Sequence, residues 1–329
     1  MTCCFKLSLA LAAATLAFGA QAADFPGAGK TITIVVPFAA GGPTDKVARD
    51  LAEALRKPLG GATIVIDNSA GAGSTIGTAK VFRANPDGYT LLVTHIGIAT
   101  TPALYRKLPY KVDEFEFAGL INEVPMVVVG KPSLAANNWG ELKTWLVENK
   151  GKANLANAGL GAASHLCGLM LQQALQTELT TVPYKGTAPA MTDLMGGQVD
   201  VMCDQTTNTT SQIEGKRIKA YAVSTAKRIT VPAVYKDLPT LDEAGLKGFN
   251  VSIWHGLYAP KGTPATVVKA VNDALQVALK DPEFVKKEES LGAVVVHDDR
   301  ATSAGHKKFV MSEIAKWGPV IKAAGQYAD

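Results

Sequence analysis

The chain repeats one alternation: a short apolar run, a turn carrying glycine or proline, then a stretch with apolar residues three or four apart. That pattern predicts strands of parallel sheets covered by helices. Thr31 to Val36 (TITIVV) is β-branched throughout, as expected of a strand buried on both faces. Gly41-Gly42 follows, and the next stretch sets Val47, Ala48, Leu51 and Leu55 on one side of a helix. Gly42 suits its cap, Pro43 its first position, and Pro58 its end. Ala62 to Asp67 predicts a second strand, the glycines at 71 and 73 precede a helix, and Tyr89 to Thr94 (YTLLVT) predicts a third strand.

The alternation then restarts. Strands are predicted over Pro125 to Val129, Lys152 to Ala158, Thr180 to Tyr184, Val199 to Cys203 and Lys219 to Ser224, with helices opening near Asn138, Ser164 and Thr187. Asn138 with Glu141 has the spacing of a capping box. After Gly248 comes an alternating stretch, Phe249 to Tyr258, and a periodic helix capped by Thr263 and started by Pro264. Val267, Val268, Val271, Leu275 and Leu279 form its stripe, and a last strand (Ala293 to Val296) and a terminal helix follow. The tail has too few strands for a third sheet, so it is expected to return to the first. The reading is an α/β, two-lobe fold, each lobe a mostly parallel sheet flanked by helices, joined by two hinge crossings. Lobe 1 is placed at 23–124 plus 251–329 and lobe 2 at 125–250. Such a hinge closes around a ligand.

Residues 1–22 stand apart. A weakly basic start precedes an apolar stretch from Leu7 to Ala20, and Ala20-Gln21-Ala22 matches a small-residue cleavage site. The stretch is too short for a bilayer span of about 20 residues and fits a signal peptide. Cys3 and Cys4 precede the apolar core, so a lipid-bearing cysteine at the cleavage point is not indicated. Export permits a disulfide between Cys167 and Cys203, but their distance is not readable from sequence. The expectation is two small buried thiols. An apolar share of 47% rules out disorder, and a net charge of +4 with no basic run argues against a nucleic-acid partner.

The most informative chemistry is Pro37 to Asp45 (PFAAGGPTD), between a buried strand and a helix start. Ligands of open α/β sheets bind beyond the carboxyl ends of strands, and a helix N-terminus there offers unpaired N–H groups and a partial positive charge. Gly41 and Gly42 let a ligand approach the backbone. Asp45 falls in the first turn, as a cap or as an acceptor for a ligand hydroxyl or amine. Asn157 to His165 (NAGLGAASH) is the counterpart in the second half, with Gly159, Gly161 and Ser164, and Thr187-Ala188-Pro189 repeats the arrangement. Two such starts facing each other suit a dicarboxylate. The loops carry no arginine, so recognition would rest on N–H and hydroxyl donors with bridging water.

Other signals are weaker. Gly71, Gly73 and Gly77 resemble a dinucleotide fingerprint, but the acidic residue expected about 20 positions on is missing, so no cofactor is expected. His95, His165 and His255 lack zinc-ligand spacing, so no metal is expected. Ser164 beside His165 is not a triad, and no nucleophile-elbow motif occurs. Asp204, ending an apolar strand, either meets a ligand or caps a turn. Trp254 reads as packing or as a pocket wall.

With these segments in view, the chain resembles the extracytoplasmic solute receptors of tripartite tricarboxylate transporters, the Bug receptors. The matching segments are ITIVVPFAAGGPTDKVAR, DNSAGAGSTIGTAKV, NPDGYTLLV, YKGTAPAMTDLMGGQVDVMCD, AVSTAKR, LPTLDEAGLKG and WHGLYAPKGTP, in the family's order from Ile32 to Pro264. The resemblance implies a periplasmic, non-catalytic, monomeric receptor that traps a small carboxylate, a dicarboxylate above all, and hands it to a membrane permease. It implies ligand contacts at Phe38, Ala40, Gly41, Gly42, Thr44 and Asp45, at Gly159, Gly161, Ser164 and His165, and at Thr94, His95, Thr187, Ala188 and Asp204. Two departures bear on ligand choice: Asn68 to Ser74 lacks a usual arginine and proline, and position 203 is Cys where an aromatic is common. A sensor binding the same solute, or a hydrolase using Ser164 and His165, are the rival functions.

Overall fold

The computed structural model describes residues 25–325, 327 and 328; the expected leader, residues 1–22, lies outside them. The first strand, β1 (Thr31–Val36), runs parallel between β2 (Thr63–Asn68) and β3 (Thr90–His95). Helices α1 (Pro43–Arg56) and α2 (Thr75–Phe82) connect them. Gly42 caps α1 in extended conformation with Pro43 in its first turn, and Val47, Ala48, Leu51 and Leu55 are buried. The sequence pattern thus carries straight into this layer.

A helix that the periodicity does not predict, α3 (Gly97–Leu104), follows β3. Its sequence GIATTPAL has no polar face and holds Pro102 inside, so tertiary contacts rather than an amphipathic stripe maintain it. Next, β4 (Glu116–Gly130) is a 15-residue strand. The expected strand at Pro125 to Val129 is only its second half. The first half escapes the pattern because Gly119 and Asn122 interrupt its apolar run, each at a register shift against its neighbour.

This strand belongs to two sheets. Glu116 to Pro125 pairs antiparallel with β9 (Ser252–Ala259), which pairs antiparallel with β3. Met126 to Gly130 pairs antiparallel with β7 (Val201–Gln205) on one edge and β8 (Lys219–Val223) on the other. Beyond β7 lie β5 (Asn154–Asn157) and β6 (Thr180–Pro183), both parallel. Helices α4 (Trp139–Glu148), α5 (Ala163–Leu175), α6 (Thr187–Met195) and α7 (Thr206–Glu214) complete this half. The α/β two-lobe architecture is as expected, but both sheets are mixed rather than mostly parallel. The reason is that the connections between halves run as extended strands, and an extended return needs no crossover helix.

After β9 the tail returns to the first sheet. It comprises α8 (Ala265–Ala278), α9 (Pro282–Glu289), β10 (Val294–Val295) and α10 (Ser303–Ala323), with β10 paired to β4 and α10 packed on α3 and β4. The two crossings are stapled by buried Ser224. Its backbone bonds Met126 and Val251, and its Oγ accepts from the Met126 N–H (3.2 Å) and donates to the Val251 carbonyl (2.6 Å). Trp254 is buried with its indole N–H on Glu313, which is packing.

The structure also resolves the cysteine alternatives. Cys167 of α5 and Cys203 of β7 are disulfide-bonded, with Cα atoms 6.1 Å apart. The bridge ties the helix that begins at Ala163 to the strand that ends at Asp204 and Gln205.

Candidate ligand site

The first glycine turn is held by charge. Asp45, buried in the first turn of α1, accepts from the Gly41 N–H (2.9 Å), from Arg49 Nε (3.0 Å) and from Asn68 Nδ2 (2.9 Å). Asn68 also donates to the Phe38 carbonyl at 3.1 Å. Burial opposes ionisation, but Arg49, the Gly41 N–H and Asn68 outweigh it and hold the Asp45 carboxyl below the usual carboxylate range. Asp45 is therefore a clamp on the turn, accepting three hydrogen bonds. Gly41 must be glycine because its φ is +80°.

The second turn is held by neutral groups. The Ala158 N–H donates to Ser164 Oγ (2.8 Å), the Gly159 N–H to Asn157 Oδ1 (2.9 Å) and the Gly161 N–H to His165 Nδ1 (3.2 Å). Ser164 and His165 each brace the loop through a backbone N–H. In both turns the glycine N–H groups of 41, 159 and 161 are spent internally. What stays open to a ligand is the first turn of each helix, where Thr44, Asp45, Thr187 and Ala188 have N–H groups with no intrahelical partner.

These helix starts meet across the two sheets. The Ala39 N–H donates to the Lys185 carbonyl at 3.2 Å. A β-carbon at Gly41 would lie 3.9 Å from that of Ala188, and one at Gly186 would lie 2.7 Å from the Ala39 nitrogen. At a second contact, Thr100 Oγ donates to the Gly161 carbonyl (2.5 Å) and the Tyr105 hydroxyl to the Leu160 carbonyl (3.1 Å). A β-carbon at Gly73 would collide with the Leu160 carbonyl, so this glycine serves the junction, while one at Gly71 would meet Ile76 of α2.

Around the junction sits a polar cluster. Phe38 stacks on His95 with ring centroids 4.4 Å apart, and His95 lies 6.0 Å from His255. Burial lowers the His95 pKa to about 4, and its Nδ1 accepts from the Gly97 N–H (2.9 Å), so the neutral ring carries its hydrogen on Nε2. Thr44 Oγ1 is 3.2 Å from His255 Nε2. Thr94 Oγ1 is buried with no partner among the described residues, as are Gln205 Oε1, Thr206 Oγ1 and Thr207 Oγ1 at the start of α7, which packs against α1. Each such group costs about 1–3 kcal/mol unless satisfied. Asp204 bonds Asn208 (2.7 Å) within its own half, and burial raises its pKa to about 7.

The structure thus brings Ala39, Gly41 and Gly42 of one sheet against Lys185, Gly186, Thr187 and Ala188 of the other, and Gly73, Thr100 and Tyr105 against Gly159, Leu160 and Gly161, while Phe38, Thr44 and His95 lie together with His255 within the first half. Sequence reasoning missed Thr100, Tyr105, Asn122, Gln205, Thr206 and Thr207. A signal existed for the last three, since four polar residues (DQTT) end a buried apolar strand. A surface groove of about 840 Å³ between α1 and α8, lined by Ala54, Pro58, Ala274 and Val277 among others, includes none of these residues. Among the described residues no helix is long and apolar enough to cross a membrane, and no group of His, Cys, Asp and Glu could hold a metal ion.

Comparison with known proteins follows the same lines. The family described as the tripartite tricarboxylate transporter family receptor matches residues 47–326. A UPF0065 protein of the TAR-I ttuE-ttuC' intergenic region of Agrobacterium vitis is 46% identical over 97% of this chain and 91% of its own. Among solved structures, the periplasmic binding protein BugD superposes with a TM-score of 0.87 at 50% identity, covering 91% of this chain and 99% of that one. MatC from Rhodopseudomonas palustris, solved with bound malate, superposes at 0.84 with 37% identity, covering 89% and 99%.

Proposed function

The chain belongs to the tripartite tricarboxylate transporter receptor family, and from that premise we propose that it captures a small dicarboxylate between its two lobes and delivers it to a membrane permease of that transporter type. It does so in the periplasm, after removal of residues 1–22 as a signal peptide, and without catalysis. The lobes are 23–124 with 251–329, and 125–250. The hinge is the middle of β4 together with the Ser224–Val251 crossing.

One observation carries the reading: helix starts from separate sheets meet, with Gly41 against Ala188 and the Ala39 N–H on the Lys185 carbonyl. One carboxylate binds the first-turn N–H groups of α1 and the other those of α6, each end drawn by a helix dipole. Thr94, His95 and Thr187 supply neutral donors. Arg49, beside the α1 start, is engaged by Asp45. Malate in MatC is a guest of this chemical class.

The test is a thermal-shift screen of the mature protein against dicarboxylates, monocarboxylates and amino acids. A ligand at 100 times its dissociation constant adds about 2.7 kcal/mol of stability. A C4 to C6 dicarboxylate giving the largest shift supports the reading; monocarboxylates or cationic amino acids shifting it most would overturn it.

A further inference from the structure

Behind Thr44 runs a buried chain of polar groups that the glycine turns do not need. His255 Nε2 lies 3.2 Å from Thr44 Oγ1, His255 Nδ1 lies 2.8 Å from Asn122 Oδ1, and Asn122 Nδ2 lies 2.6 Å from Glu288 Oε2. All four side chains are buried. They come from α1, β9, β4 and α9, so the chain spans the first lobe from the site to its far helix.

We propose that Thr44, His255, Asn122 and Glu288 form a relay through which protonation of Glu288 sets whether Thr44 offers a bound acid a lone pair or a hydrogen, and so whether an acid bearing a hydroxyl or ammonium group is preferred to one bearing carboxylates alone. The proposal rests on the reading of the α1 start as a carboxylate site and names what else that end of the ligand carries.

The argument is one of hydrogen count. A neutral imidazole has one donor and one acceptor, and an amide has one end of each kind. A chain of such groups has a single direction, which an ionised terminus fixes and a protonated one, a donor as well as an acceptor, frees to reverse. An ionised Glu288 only accepts, so Asn122 turns its NH₂ toward it and its oxygen toward His255. His255 then carries its hydrogen on Nδ1 and accepts at Nε2, and the Thr44 hydroxyl donates to it. Thr44 faces the ligand with lone pairs, which suit a hydroxyl or ammonium group. When Glu288 takes one proton from solvent it donates to the Asn122 oxygen after the amide turns. Asn122 then donates to Nδ1, the imidazole hydrogen moves to Nε2 by tautomer exchange, and Thr44 accepts from it. The Thr44 hydrogen is then free for a carboxylate. Glu288 gains one proton and the rest conserve theirs.

The surroundings keep both states within reach. Burial, with the neighbouring His95, holds the His255 pKa well below 6.5, so the ring stays neutral. Glu288 Oε1 has no partner among the described residues. Burial pushes the Glu288 pKa up to about 7, Asn122 and Lys46 oppose that, and Asp50 adds to it. Lys46 and Asp50 are the charges facing it from α1; β10, also packed on α9, brings only Val294 and Val295.

The test is ¹⁵N NMR of histidine-labelled protein from pH 5.5 to 8.5, with titrations of malate and succinate over the same range. The relay predicts that His255 passes from the Nε2–H to the Nδ1–H tautomer as pH rises. The malate-to-succinate affinity ratio should rise with it by about three- to tenfold, the worth of one hydrogen bond. In Glu288→Gln, which keeps the shape, both changes disappear. A single His255 tautomer across the range in the unmutated protein overturns the relay, whether or not the acids bind. An exchanging tautomer with an unmoving ratio overturns the link to Thr44. Failure of both acids to bind at every pH strikes the carboxylate reading instead.

Discussion

Two glycine turns, one in each half, do the same job by different physics, the first lying against residues 185–188 and the second against Gly73, Thr100 and Tyr105. The first, at 38–42, is tied by an ionised Asp45 with Arg49 and Asn68. The second, at 157–165, is tied by the neutral side chains of Asn157, Ser164 and His165, with the Cys167–Cys203 bridge behind it. Charge ties the turn whose lobe also receives the chain's tail, and a covalent bond supports the lobe with the smaller, shorter-stranded sheet. The difference teaches where each half is vulnerable: the first to acid, the second to reduction.

The largest expected effect follows from the covalent side. Replacing Cys167 and Cys203 with alanine should cost about 2–4 kcal/mol in urea unfolding, as should reduction, while the pH dependence of the first turn stays unchanged. A loss below about 0.5 kcal/mol would mean that packing alone supports the second turn.

Asp45→Asn probes the opposite side and should cost about 1.5–3 kcal/mol, the worth of hydrogen bonds to a buried charge. Its pH signature has a definite sign. The folded carboxyl titrates below its ordinary 3.8, so its stabilisation is complete above that value and drains away as pH falls through the lower, folded one. Acid titration of the variant should lack that loss. Cysteine removal should leave it intact.

Gly73→Val addresses the junction itself. Its β-carbon would meet the Leu160 carbonyl, and overpacking of about 1–3 kcal/mol should weaken ligand binding by about 5- to 150-fold in calorimetry. Each lobe's own fold should hold, as read by circular dichroism. Unchanged affinity would show that the lobes bind ligand without this contact.

The smallest effect is expected of Ser164→Ala. Losing one neutral hydrogen bond to the Ala158 N–H should cost about 0.5–1.5 kcal/mol, without pH dependence between 4 and 8, a range chosen to span about the carboxylate and imidazole values. A pH-dependent loss would contradict the neutral character assigned to the second turn.

Much of this was legible in the residues. β1 and the start of α1 follow directly from TITIVV and the Gly-Gly-Pro turn, because branched side chains, a flexible cap and a fixed φ all act locally. The two glycine turns read as partners, yet the first lies against residues 185–188 and the second against Gly73, Thr100 and Tyr105. What stayed hidden depends on contacts distant in sequence. The first half of β4 is masked by Gly119 and Asn122, and Asn122 is buried for the sake of His255 and Glu288, 133 and 166 residues away. Helix α3 has no face for a periodicity to find. That Asp45 also clamps the first turn shows only once Asn68 and Arg49 are seen to bond it. The pairing of Cys167 with Cys203 needs the approach of α5 to β7, which spacing does not encode.

The crystal structure of the mature protein soaked with succinate tests the central claim most directly. The account predicts one carboxylate on the first-turn N–H groups of Thr44 and Asp45 and the other on those of Thr187 and Ala188, with Asp45 still bonded to Gly41 and Arg49. Succinate held by only one of the two helix starts, or seated in the groove between α1 and α8, would contradict it.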